Sequence, residues 1–199
     1  LLLIHWPSDN TSRSHSSTDP YCNSNNTLYS ASKCRQSTWK AYEYIFNNGG
    51  AKAIGVSNYE SNHLQDILEM NSLIPSVNQI ELHCFLVEQE IIDYCKSKNI
   101  MMEAYCPIAR GNEKARNNEY LNQLGGKAGG KRNWAHIMIR WCIQKGFIVL
   151  PKSVTPERIL ANGDVFEFAI EEHEMKTLEE LQKEKLRVSW NPLTVVWDV

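Results

Sequence analysis

Leu1-Leu2-Leu3-Ile4-His5-Trp6-Pro7 opens the chain with four aliphatic residues that run directly into a histidine, a tryptophan and a proline. An unbroken apolar run closed by a residue without a main-chain N–H predicts a short buried strand ending at Pro7. No Met, polar leader or capping turn precedes it, so the chain is expected to open inside a larger fold. Further strands are expected at 52–56, at 77–81 after Pro75, at 100–104 and, as a continuous apolar run, at 147–150. Between these runs the apolar spacing turns helical. Ser37–Asn47 carries Trp39, Tyr42 and Phe46, and Glu60–Met70 carries Leu64, Ile67 and Leu68. Glu88–Ser97 carries Ile91, Ile92 and Cys95, and a helix capped by Asn133 and running to Lys145 carries Ala135, Met138, Ile139 and Cys142.

Strands without polar alternation, separated by helices, describe an α/β protein built on a parallel sheet. A doubly wound open sheet ordinarily announces itself by a Gly-rich phosphate loop after its first strand. Neither GxGxxG nor a P-loop occurs in this chain. Polar residues gather instead where strands end: His5, Ser57-Asn58, Gln79 with Glu81, Tyr105 and Lys152-Ser153. That distribution belongs to a (β/α)8 TIM barrel, whose functional groups sit at the carboxyl ends of several strands. Eight strand–helix units need roughly 250 residues. With 199 residues and five strands, the expectation is a barrel lacking three units.

Four stretches interrupt the rhythm. Residues 8–33 are rich in Ser, Asn, Thr and Asp and predict a long exposed loop; residues 110–132 predict a Gly/Asn/Lys-rich loop. Pro156–Ala161 reads as a short helix and 171–185 as an amphipathic C-terminal one. The tail 186–199, with Trp190 and Trp197, is expected to be irregular.

Composition narrows the function. Hydrophobic residues make up 42% of the chain, enough for a packed core. Lys plus Arg number 21 against 23 Asp plus Glu, a net charge of -2 that supplies no basic field for nucleic acid. No run approaches the 18 apolar residues of a membrane helix, so no membrane partner is expected. The histidines lack the close spacing of a metal site, so none is expected. The six cysteines form no CxxC pair and read as free thiols, which points to a reducing, cytoplasmic setting.

In combination, LLLIHWP at 1–7, AIGVSNY at 53–59, VNQIELH at 77–83, AYCPI at 104–108 and LPKSVTPERILAN at 150–162 resemble the aldo-keto reductase family. The resemblance implies a TIM barrel represented by its last five strands and following helices, with Leu1 on the fourth strand. It also implies NADPH-dependent reduction of an aldehyde or ketone to an alcohol. His5 would then be the catalytic histidine that positions the carbonyl oxygen, where an N–H donor helps most as charge develops. Trp6 would line the substrate pocket. Ser57, Asn58 and Gln79 would hold the nicotinamide carboxamide, and Tyr105 would stack on the ring. Cys106, Pro107, Ile108 and Arg110 would begin the loop covering the pyrophosphate. Lys152, Ser153 and Arg158 would take the 2'-phosphate, favouring NADPH over NADH, and Asn162 the adenine edge.

Departures from the family pattern fall at Cys106, where Ser is usual, and at Ala161, where an acidic residue is usual. His83-Cys84 replaces His-Pro, and the helix after Asn133 lacks the usual Thr-Pro start. The family's proton-donating Tyr, with its supporting Lys and Asp, precedes the fourth strand and has no counterpart in this chain. The isolated chain is therefore expected to be inactive, and a complete parent to be a monomer acting on small-molecule carbonyls. The competing expectation is a truncated, non-catalytic module that binds nucleotide or protein and self-associates through exposed strand edges.

Overall fold

The computed structural model describes residues 1–7, 20–23, 26–28, 30–128 and 132–191. Among them, one compact unit comprises 1–79, 90–101 and 190–191, and a second comprises 80–89 and 102–189. The described residues form five strands: β1 (Leu2–Ile4), β2 (Ile54–Ser57), β3 (Val77–Glu81), β4 (Met101–Tyr105) and β5 (Ile148–Leu150). They form one sheet in the order β1-β2-β3-β4-β5, and the pairs β1–β2, β2–β3 and β4–β5 are parallel. The order never reverses, so the sheet lacks the switch point that marks a doubly wound fold.

In the first unit, helix α1 (Ala31–Asn47) covers β1 through a hydrogen bond from Tyr42 Oη to the Leu3 oxygen, 3.1 Å away. The helix starts six residues earlier than its apolar spacing predicts. Ser30 caps it by accepting from Lys33 N, and Cys34 is joined to Cys22 by a disulfide. The loop expected over 8–33 therefore ends at Ser30, and most of it lies outside the described residues. The disulfide corrects the reading of six free thiols: Cys84, Cys95, Cys106 and Cys142 are the free ones.

Trp39 is fully buried and donates from Nε1 to the Leu73 oxygen. Arg35 and Ser32 converge on the Asp66 carboxylate of α2 (Ser61–Leu68), at 2.6 and 2.7 Å, fastening the two helices together. β2 is buried at every residue. Its Gly55 is required by close approach, since a β-carbon there would lie 2.7 Å from the Val77 oxygen. Helix α3 (Gln89–Ser97) buries Ile91, Ile92 and Cys95 on one face, as its spacing predicts.

The second unit revises the loop expected over 110–132. A 3-10 turn at Ala109–Gly111 leads into α4 (Glu113–Arg116) and α5 (Glu119–Lys127). The Asn112 and Asn118 side chains cap these helices, and Leu121 and Leu124 bury one face of α5. Gly125 lies on that helix because a β-carbon would sit 2.7 Å from the Asn133 Cα. Gly129 and Gly130 fall outside the described residues. Helix α6 (Trp134–Gln144) has the expected Asn133 cap.

β5 departs from the expectation of a strand buried on both faces: Ile148 and Leu150 are 39% and 42% exposed. It is an outer strand of the five, whereas β2, β3 and β4 have neighbours on both sides. Helix α7 (Pro156–Gly163) buries no residue and leaves Ile159 and Leu160 exposed. The expected 171–185 helix divides into α8 (Glu172–Glu179) and a 3-10 turn at Glu180–Glu184, ending where Lys185 adopts a left-handed conformation. Pro192 and Trp197 of the tail lie outside the described residues. Among the described residues no helix is long and apolar enough to cross a membrane.

Candidate active site

Within each unit, most of the polar residues singled out by the sequence lie at or just after the carboxyl ends of strands. His5 follows β1, Ser57 closes β2, Gln79 lies in β3, Tyr105 closes β4, and Lys152-Ser153 follow β5.

In the first unit, the Gln79 main-chain oxygen accepts from Ser57 Oγ at 2.7 Å and from Asn58 N at 2.9 Å. Asn58 Nδ2 in turn donates to Ser57 Oγ at 3.1 Å and to the His5 oxygen at 3.0 Å. Ser57 and Asn58 are each 3% exposed, so burial demands these partners. Asn58 holds a φ of 61°, a left-handed conformation that Asn tolerates better than most residues. Three strand ends are thereby stitched together by the side chains expected to meet a carboxamide. The His5 side chain is exposed, its ring 5.8 Å from that of Trp6, which lies 6.1 Å from Trp190.

In the second unit, Tyr105 is half-buried, and burial pushes its hydroxyl pKa up. The turn that follows is strained: Cys106, Ala109 and Arg110 all hold φ between 46° and 52°. Non-glycine residues in that region cost roughly 1–2 kcal/mol each, and such strain clusters at ligand clamps. Arg110 Nε donates to Cys106 Sγ at 3.4 Å; burial raises the thiol pKa and the guanidinium partly opposes it. Pro107 is buried and Ile108 half-buried beneath this turn.

Lys152 and Arg158 are exposed, and among the described residues neither joins an ion pair. They flank the N-terminus of α7, with Ser153 Oγ accepting from Thr155 N at 3.1 Å. A helix N-terminus with two cations beside it suits a phosphate. Asn162 lies half-buried near the end of the same helix.

One residue carried more than the sequence disclosed. Glu81 is 2% exposed, and its carboxylate accepts from Val188 N at 2.7 Å and Ser189 N at 2.9 Å. His83 Nε2 lies 3.2 Å from the same carboxylate. Burial pushes the Glu81 carboxyl pKa up, but these hydrogen bonds outweigh it and the net shift is down. Its position beside Gln79 at a strand end was visible; its partners were not.

With sheet order and site in place, the chain belongs to the Aldo/keto reductase family, whose sequence model matches residues 1–183. It is 46% identical over 166 residues to an uncharacterized oxidoreductase of Schizosaccharomyces pombe, covering 83% of this chain and 58% of that protein. It is 34% identical over 192 residues to a glyoxal reductase of Bacillus subtilis, covering 96% of this chain and 59% of that protein. A crystal structure of a Gox0644 variant in complex with NADPH superposes with a TM-score of 0.79 at 32% identity, covering 98% of this chain and 63% of that one. The chain thus spans less than three fifths of the length of these curated relatives.

Proposed function

We propose that this chain is the part of an NADPH-dependent carbonyl reductase that runs from the fourth strand of a (β/α)8 barrel onward. The observation that carries the reading is the placement of His5, Ser57, Tyr105 and Lys152 at or just after the carboxyl ends of β1, β2, β4 and β5, with Gln79 inside β3. The exposed apolar residues Ile148, Leu150, Ile159 and Leu160 support the segmental part. We read that face as the one covered by the three missing strand–helix units.

The donor set fits the dinucleotide. Lys152, Ser153 and Arg158 hold the 2'-phosphate at the N-terminus of α7, and Asn162 meets the adenine edge. Cys106, Pro107, Ile108 and Arg110 form the strained turn beside the pyrophosphate. Ser57, Asn58 and Gln79 would orient the carboxamide once the Ser57 and Asn58 donors turn from the Gln79 and His5 oxygens, and Tyr105 would offer its ring face to the nicotinamide. When bound, NADPH supplies the hydride that reduces the carbonyl carbon. His5 directs an N–H at the carbonyl oxygen and Trp6 walls the small aldehyde or ketone. The proton for that oxygen comes from an upstream Tyr, supported by Lys and Asp.

Fluorescence titration with NADPH and NADH of a polypeptide extended by the upstream strands tests the cofactor assignment. Saturable quenching by NADPH, weaker with NADH, is the supporting result and equal or absent quenching by both sinks it; the isolated chain, three units short, is expected to bind weakly or not at all. The chain alone turns over no aldehyde, whereas a polypeptide carrying the upstream strands does. Should the chain form defined oligomers through the β5–α7 face and still lack turnover when extended, the non-catalytic binding module becomes the better reading.

A further inference from the structure

A buried carboxylate is expensive unless it is charge-paired or well hydrogen-bonded. Glu81, at the carboxyl end of β3, forms no salt bridge with Lys or Arg among the described residues, Arg110 acting on it only through electrostatics. Its compensation comes from two successive main-chain N–H groups, Val188 and Ser189, that lie 107 and 108 residues away in sequence. Consecutive N–H groups converging on one anion form a small nest. His83 Nε2 completes the shell, while His83 Nδ1 is buried without a partner among the described residues. The segment is held on either side as well: Leu186 N donates to the Phe85 oxygen at 3.1 Å, and Arg187 pairs with Glu88. At its end, a side-chain hydrogen bond joins Ser189 to Tyr105.

We infer that Glu81 is a positioning residue: by gripping the Val188 and Ser189 amides it sets Ser189 against Tyr105 and so fixes the orientation of the Tyr105 ring. The inference rests on the reading above, in which that ring faces the nicotinamide. The C-terminal segment then becomes part of the cofactor apparatus through a carboxylate that touches neither cofactor nor substrate. Charge matters to the grip. An amide in place of the carboxylate retains one acceptor but loses the charge that draws both N–H groups.

The test uses the chain extended by the upstream strands and labelled with 3-fluorotyrosine, the Tyr105 resonance being assigned from its loss in Tyr105→Phe. In Glu81→Gln, hydrogen exchange at the Val188 and Ser189 amides accelerates by about tenfold or more, while Ala104 and Ile139 keep their protection. The Tyr105 resonance shifts, and NADPH affinity falls by about tenfold. Ser189→Ala separates the two links: it shifts the Tyr105 resonance but leaves both amides protected. Unchanged exchange and an unmoved resonance in Glu81→Gln overturn the positioning role, whatever NADPH does. A wild-type Tyr105 resonance indifferent to saturating NADPH overturns instead the cofactor reading on which the inference stands.

Discussion

The side-chain amide of Asn58 donates to the main-chain oxygen of His5 across 3.0 Å, tying the residue after β2 to the residue after β1. The same amide reaches Ser57 Oγ, and the Asn58 backbone sits at a φ of 61°. Asn58→Ala is expected to destabilise the chain by about 2–3 kcal/mol, from lost hydrogen bonds and from alanine's poorer tolerance of the left-handed region. Asn58→Gly loses the same bonds without the backbone penalty and should recover about 1 kcal/mol of that. Urea unfolding of both variants measures the difference; equal losses would remove backbone strain from the account.

Gly55 offers a purely steric prediction. A methyl group there meets the Val77 oxygen at 2.7 Å and the Leu3 and Val77 side chains at 2.9 Å. Gly55→Ala should cost about 1–3 kcal/mol in a denaturant titration, because the β1–β2–β3 pairing leaves no room to yield.

The cysteines predict a titration. Alkylation of the denatured, unreduced chain should modify four thiols, leaving Cys22 and Cys34 paired. In the native chain Cys106 should react first, being half-buried, whereas Cys84, Cys95 and Cys142 are buried. Burial also pushes their thiol pKa values up, that of Cys95 to about 11. Cys22→Ser is expected to lower stability by about 2–4 kcal/mol. Modification of six thiols without reductant would contradict the pairing.

Acid should loosen the grip on the C-terminal segment. Hydrogen bonds hold the Glu81 carboxyl pKa below its ordinary value in the folded chain, against the opposing effect of burial. Its contribution is therefore present at neutral pH and lost as pH falls through the folded pKa. The stability gap between wild type and Glu81→Gln should be widest above the ordinary carboxylate range and narrow as pH falls through the lowered pKa of the folded chain. Glu174 adds to the same trend in both proteins: burial raises its pKa, but hydrogen bonds from Lys127 and from its own helix N-terminus prevail. A gap that widens in acid would reverse the assigned sign.

For the phosphate site, Lys152→Ala and Arg158→Ala should each weaken NADPH binding by about tenfold or more, each removing a charge-assisted contact. NADH binding should change little, since it lacks the 2'-phosphate. Parallel titrations of the two nucleotides check this; equal loss for both would place these cations away from that phosphate.

The strands were legible because each is a local pattern. β3 spans Val77–Glu81, the strand expected after Pro75, and Asn133 caps α6 as expected. Where a local pattern was weak, a non-local contact took over. The start of α1 escaped its apolar period because Ser30 and the Cys22–Cys34 bond set it. Helix α5 hid in a Gly- and Asn-rich stretch, its Gly125 being a packing residue against Asn133 rather than a loop former.

By itself, the sequence determined the alternation of strands and helices, the polar residues at the strand ends and the motifs of the family. All of these depend on residues close in the chain, where periodicity and turn chemistry act. Only the tertiary structure decided that Cys22 pairs with Cys34, that Asn58 fastens His5, and that Glu81 grips Val188 and Ser189. Buried donors and acceptors must be satisfied by whatever the fold brings within 3 Å or so, and separation along the chain carries no record of that choice.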